Sequence, residues 1–144
     1  MKFLFVSLLY FLSLISTSLA QQSMTPLKEY VGNNNTNDVN VQSYIFNRCA
    51  AVSLYVGTLN QHSKDQTVMT QSLKNYELFA EANFTHLVSK GNMTAKDARK
   101  NFEDNVLPMS KAYAKDGQEN FVKRGDYTKG YIFDDFVFCN RILK

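Results

Sequence analysis

The chain has 144 residues, a formal charge of +3, two cysteines, two histidines and no tryptophan. Its length suits one domain, and its charge is too small to argue for nucleic acid or an anionic membrane as partner. No C-x-x-C, Glu-x-x-His, H-E-x-x-H, G-x-S-x-G or phosphate-cradling glycine loop occurs. The sequence therefore gives no support to thioredoxin chemistry, covalent haem attachment, a di-iron bundle or these hydrolase and nucleotide sites.

Residues 1–20, "MKFLFVSLLYFLSLISTSLA", have one lysine, an apolar run from Phe3 to Ile15 and a small-residue end at Ser18-Leu19-Ala20. This layout predicts a secretory signal peptide cleaved after Ala20; an uncleaved anchor is the alternative. The mature chain would begin at Gln21 with a formal charge near +2. It is expected to be secreted or periplasmic, with no later segment able to embed in a membrane. The short "MK" start and compact leader favour a bacterial envelope. Three N-x-Ser/Thr sequons, at Asn34, Asn83 and Asn92, would matter only in a eukaryotic secretory pathway. With fourteen asparagines in the chain, sequons also arise by chance.

Residues 21–37 hold Pro26, Gly32 and an asparagine cluster without sustained periodicity, and are expected to form a flexible N-terminal arm. One turn around "PLKEY" would let Leu27, Tyr30 and Val31 touch the domain. The helical domain is expected over residues 38–144. Val41, Ile45, Cys49, Val52, Val56 and Leu59 recur at helical spacing and predict a first helix over about 40–61. Ala50, Ser53 and Gly57 form a small-residue strip beside that stripe, suited to close approach by another helix.

Ser63 and Gln66 have the spacing of a capping box, which places a second helix over about 64–90. Its apolar stripe is Met69, Leu73, Tyr76, Ala80, Phe84 and Leu87. Thr94, with Asp97 in the first turn, opens a third helix along Ala98, Phe102, Val106, Met109 and Tyr113. Pro108 lies within it and predicts a kink near Leu107. Residues around Gly117 and Gly125 have no assigned element. Ile132, Phe136, Cys139 and Leu143 define a last helix; a strand is the alternative there, but no other strand is available to pair with it.

Both cysteines fall on inward stripes, of the first and the last helix. In an oxidising compartment two cysteines pair, so Cys49 and Cys139 are expected to form a disulfide. The predicted fold is all-α: a single four-helix bundle-like domain with a kinked third helix, its first and last helices joined by that bond.

Candidate chemistry is sparse. His62 at a helix end and His86 on the second helix carry no metal spacing, so neither a metal nor a cofactor is expected. Glu77 and Glu81 lie one turn apart, and Asp134 and Asp135 lie on the last helix. Carboxylates from two helices meeting in a cleft would allow a small envelope hydrolase. The stretch "KAYAKDGQENFVKRGDYTKGY" instead mixes Lys123, Arg124 and Lys129 with Tyr113, Phe121, Tyr127 and Tyr131, while Asp116, Glu119 and Asp126 dilute its charge. Cations interleaved with aromatics suit a binding face. The expectation is a small exported helical protein that acts by binding a protein or envelope component. Catalysis by the carboxylates is the alternative.

Overall fold

Asp38 starts the central helix. In the computed structural model, which describes residues 24–143, its Oδ1 accepts the backbone N–H groups of Asn40 at 2.7 Å and Val41 at 3.2 Å. That satisfies two of the orphan donors at the start of α2, Val39–Leu59. The predicted leader and its cleavage site lie outside the described residues. Every regular element among the described residues is a helix: α1 (Leu27–Asn33), α2, α3 (Thr67–Ser89), α4 (Ala95–Arg124) and α5 (Tyr131–Ile142). No described helix is long and apolar enough to cross a membrane.

α2 is the hub. It packs along α3 and α4, which also touch each other, and it seats α5 and α1. Ile45, Cys49, Val52 and Val56 are buried on it, as their spacing predicts. The small strip does what its size allows. Ala50 and Ser53 are fully buried, and a Cβ at Gly57 would meet the Leu73 side chain of α3 at 3.2 Å.

α3 begins at Thr67, later than a capping box at Ser63 requires. The box does not form: the Gln66 amide donates to the Ser63 carbonyl, and Asp65 accepts the Thr67 N–H at 2.9 Å instead. Asp65 can close its own turn onto Thr67, so the competing local bond wins. The inward face of α3 is also rotated by one residue from the predicted stripe. Ser72, Asn75, Phe79, Asn83 and Leu87 are buried, whereas Leu73 is exposed. Asparagine is tolerated inside because it pairs across helices, Asn83 donating to Asn47 at 2.9 Å and Asn75 to Asn140 at 2.6 Å.

Thr94 caps α4 by accepting the Asp97 N–H at 3.1 Å. The helix then runs through Pro108, where the proline lacks the N–H that would reach the Asp104 carbonyl, and continues beyond Gly117 to Arg124. Gly117 is no helix breaker here, because its missing side chain is required. A Cβ would stand 1.8 Å from the Tyr55 hydroxyl and 2.8 Å from the Tyr127 carbonyl. α4 ends where Gly125 takes the left-handed conformation, φ 71°, and its N–H bonds the Phe121 carbonyl at 2.8 Å.

The segment expected as a loose arm holds a fifth helix. Leu27 is fully buried, and Tyr30 packs against Tyr44 of α2 with ring centroids 4.3 Å apart and planes tilted by 39°. The expected disulfide is present: Cys49 and Cys139, with Cα atoms 5.3 Å apart, join α2 to α5.

Candidate functional site

The predicted aromatic and basic residues separate into two groups. Tyr113 belongs to the interior, as part of a buried polar cluster beside the disulfide. Arg48 Nε donates to the Tyr113 hydroxyl at 2.8 Å, and that hydroxyl donates to Asp135 Oδ2 at 2.6 Å. Arg48 Nη2 pairs with the same carboxylate oxygen. Asp135 Oδ1 accepts the Leu27 N–H at 2.6 Å, and Arg48 Nη1 reaches the Thr25 carbonyl at 3.1 Å and the Tyr44 hydroxyl at 3.0 Å. Arg48 also lies over the Tyr44 and Tyr113 rings, 5.7 and 5.5 Å from their centroids.

Arg48, Tyr113 and Asp135 are all fully buried, so the cluster has no substrate access. Burial pushes the Tyr113 phenol well above its usual range, and the Asp135 charge adds to that. Burial opposes the Arg48 cation, but its Tyr113, Asp135 and Tyr44 neighbours outweigh this and raise its pKa. An ion pair so placed is a fastener. It ties α2 to α5 and holds the start of α1 against both.

Phe121, Lys123, Arg124, Tyr127 and Lys129 stay together at the α4–α5 end. Phe121 and Tyr127 stack face to face, centroids 4.2 Å apart and planes 8° from parallel. Val122 beside them is 77% exposed and Phe121 is 42% exposed. The stack is braced from below, because the Tyr55 hydroxyl donates to the Tyr127 carbonyl at 3.1 Å. Asn120 likewise holds the Lys129 carbonyl at 2.9 Å.

The three carboxylates that dilute the basic stretch are engaged locally. Glu119 lies 3.4 Å from the Lys123 ammonium, and Asp126 caps Thr128 through its N–H and hydroxyl at 2.8 and 3.0 Å. Asp116 accepts the Tyr131 hydroxyl. Burial, with that bond, raises the Tyr131 pKa; the ring is half-buried and stacks on Tyr113 at 5.8 Å. Tyr131 is therefore a supporting residue of this end. Among the described residues, Arg124 has no ion-pair partner, whereas the Thr128 hydrogen bonds and then the Lys129 charge hold the Asp126 carboxyl below its usual range.

The candidate carboxylates are not assembled into one cleft. Glu77 and Glu81 are exposed on α3, Asp134 is exposed on α5, and Asp135 is consumed by Arg48. His86 contacts the Val39 carbonyl at 3.3 Å and meets Phe46 edge-on at 5.9 Å, while His62 is exposed in the turn after α2. Among the described residues no three His, Cys, Asp or Glu side chains gather as a metal-binding set. The Asn83 sequon is buried in the α2–α3 seam, whereas Asn34 and Asn92 are exposed.

Sequence reasoning names Asp135 only as a candidate hydrolase carboxylate and does not name Arg48, although a signal for their pairing exists. Arg48 immediately precedes Cys49, and Asp135 lies one turn before Cys139, so opposite charges flank the two cysteines on their helices. The chain matches no protein-family model, no curated protein and no solved structure.

Proposed function

We propose that this is a small exported helical protein that acts by binding a protein or envelope component through the α4–α5 end. The observation that carries the reading is the Phe121–Tyr127 stack, Phe121 exposed and Tyr127 half-buried, with exposed Val122 next to Phe121 and with Lys123, Arg124 and Lys129 lining a groove at the same end of the molecule. A stacked pair fixed by neighbouring hydrogen bonds loses little side-chain entropy when a partner covers it. Aromatic and arginine side chains are also the types that dominate binding energy at protein interfaces. The surrounding cations favour a partner with acidic groups at its contact rim. Export is supported by the sequence of residues 1–20 and by the buried disulfide, a bond that persists in oxidising compartments.

The test places a photo-crosslinking side chain at Val122 and, as a control, at Lys100 on the outside of α4. Irradiation in the native host should attach one recurring species at position 122 and not at 100. The double charge reversal K123E/R124E should remove that species. Equal labelling from both positions, or labelling untouched by the reversal, would contradict the assignment of this end.

A further inference from the structure

α5 has two apolar faces. The inner one carries Ile132 and Cys139. The outer one carries Phe133, Val137 and Phe138, with Phe133 56% exposed. Together with Pro26, Lys28 and Glu29 beside α1, this outer face lines an open groove of about 620 Å³. An apolar helix face left at the surface of a small domain marks a contact site.

The order of residues on that face identifies the occupant. When two copies of one helix pack antiparallel about a twofold axis, a residue a given number of steps before the axis faces the residue the same number of steps after it. An axis passing between Val137 and Phe138 sets Val137 against the partner's Phe138. The same axis sets Asp134 against the partner's Arg141, and the symmetry makes that pair twice. Neither Asp134 nor Arg141 has an ion-pair partner among the described residues of its own chain. Lys28 and Glu29 add one charge of each sign at the rim, so the whole face is electrically balanced against a copy of itself.

We propose that the α5 outer face is the interface of a symmetric homodimer, with α5 antiparallel to α5 of the partner and the Asp134–Arg141 pairs fixing its register. This contact uses a different helix face from the α4–α5 end and stands or falls independently of it. A dimer built this way carries two binding ends, which raises avidity for any partner offering repeated sites.

The experiment is sedimentation of the full-length chain, purified with the Cys49–Cys139 bond intact, at about 100 µM. The wild type should sediment as a dimer. D134R and R141D should each weaken the dimer by at least about tenfold, because each places like charges opposite one another. The double swap D134R/R141D should restore it, since the pairs re-form with reversed polarity. All three residues concerned, including Phe133, are exposed, so circular dichroism should show unchanged helix content in every variant. A wild-type monomer at this concentration overturns the proposal and leaves the groove to another occupant. A dimer that survives both D134R and F133D overturns it as well, because the copies then meet elsewhere. A double swap that stays monomeric overturns the antiparallel register.

Discussion

Arg48 and Asp135, 87 residues apart in the chain, form a fully buried ion pair beside the disulfide that joins their helices. Each charge has further partners. Tyr113 and the Leu27 N–H complete the carboxylate's shell, and Tyr44 and the Thr25 carbonyl complete that of the guanidinium. One cluster thus fastens α1, α2, α4 and α5, leaving the α4–α5 end supported from beneath.

Removing one member of the pair strands the other in the interior. Asp135→Ala should destabilise the fold by roughly 3–5 kcal/mol, read by urea unfolding. Arg48→Met alone should cost a similar amount. The double variant Arg48→Met/Asp135→Leu should recover most of the loss, because neither charge is then buried alone. Additive losses in the double variant would show that the pair is not the source of the stabilisation.

The disulfide closes a loop of 90 residues. In the chain-entropy model such a bond stabilises by roughly 4–5 kcal/mol, and native disulfides removed from small domains usually cost about 2–5 kcal/mol. Cys49→Ala/Cys139→Ala should therefore lower the melting temperature by about 10 °C or more. A melting point within two or three degrees of the wild type would contradict this. Thiol titration of the native protein should find no reactive cysteine.

Gly117 separates packing from propensity. Alanine there favours a helix by roughly 1 kcal/mol, but its Cβ collides with the Tyr127 carbonyl and the Tyr55 hydroxyl. Overpacking of this kind costs about 1–3 kcal/mol. Gly117→Ala should lower stability, and the double variant Gly117→Ala/Tyr55→Phe should be less affected than the sum of the two. A stabilised Gly117→Ala would mean that propensity outweighs the contact.

Alkaline pH should weaken the fold through its buried phenols. Burial, with Tyr127 and Asp126 nearby, pushes the Tyr55 phenol up to about 12, against 10.0 for a free tyrosine. Between these values the unfolded chain has released its proton while the folded chain keeps it, so the stability that Tyr55 contributes falls as pH rises and is lost above about 12. Tyr113 and Tyr131 are shifted the same way and deepen the fall. Tyr55→Phe should make the decline between pH 10 and 12 shallower. An unchanged slope would assign the effect to the other two.

Much of the fold is legible in the sequence because apolar spacing reports a helix's inward face. Cys49 and Cys139 fall on such stripes, which places the bond correctly. α3 is misread by one residue since its inward line is Ser72, Asn75 and Asn83, whose burial depends on partners such as Asn47 and Asn140 from other helices. α1 is legible only as one turn around "PLKEY" for the same reason: seven residues show no period, and Leu27 is held by an N–H bond to Asp135 from the far end of the chain. At the candidate site, Phe121 stacks on Tyr127, and Lys123, Arg124 and Lys129 line one groove at the same end of the molecule. Tyr113 does not join them, because composition cannot reveal the Arg48 and Asp135 side chains that claim its hydroxyl.

The most direct test of the proposed binding role is a native mass spectrum of the protein recovered from its own host, beside that of its K123E/R124E variant. The wild type should carry a defined added mass beyond copies of its own chain, and the variant should lose it. A wild type with no such mass, or a variant that keeps it, would contradict binding through the α4–α5 end.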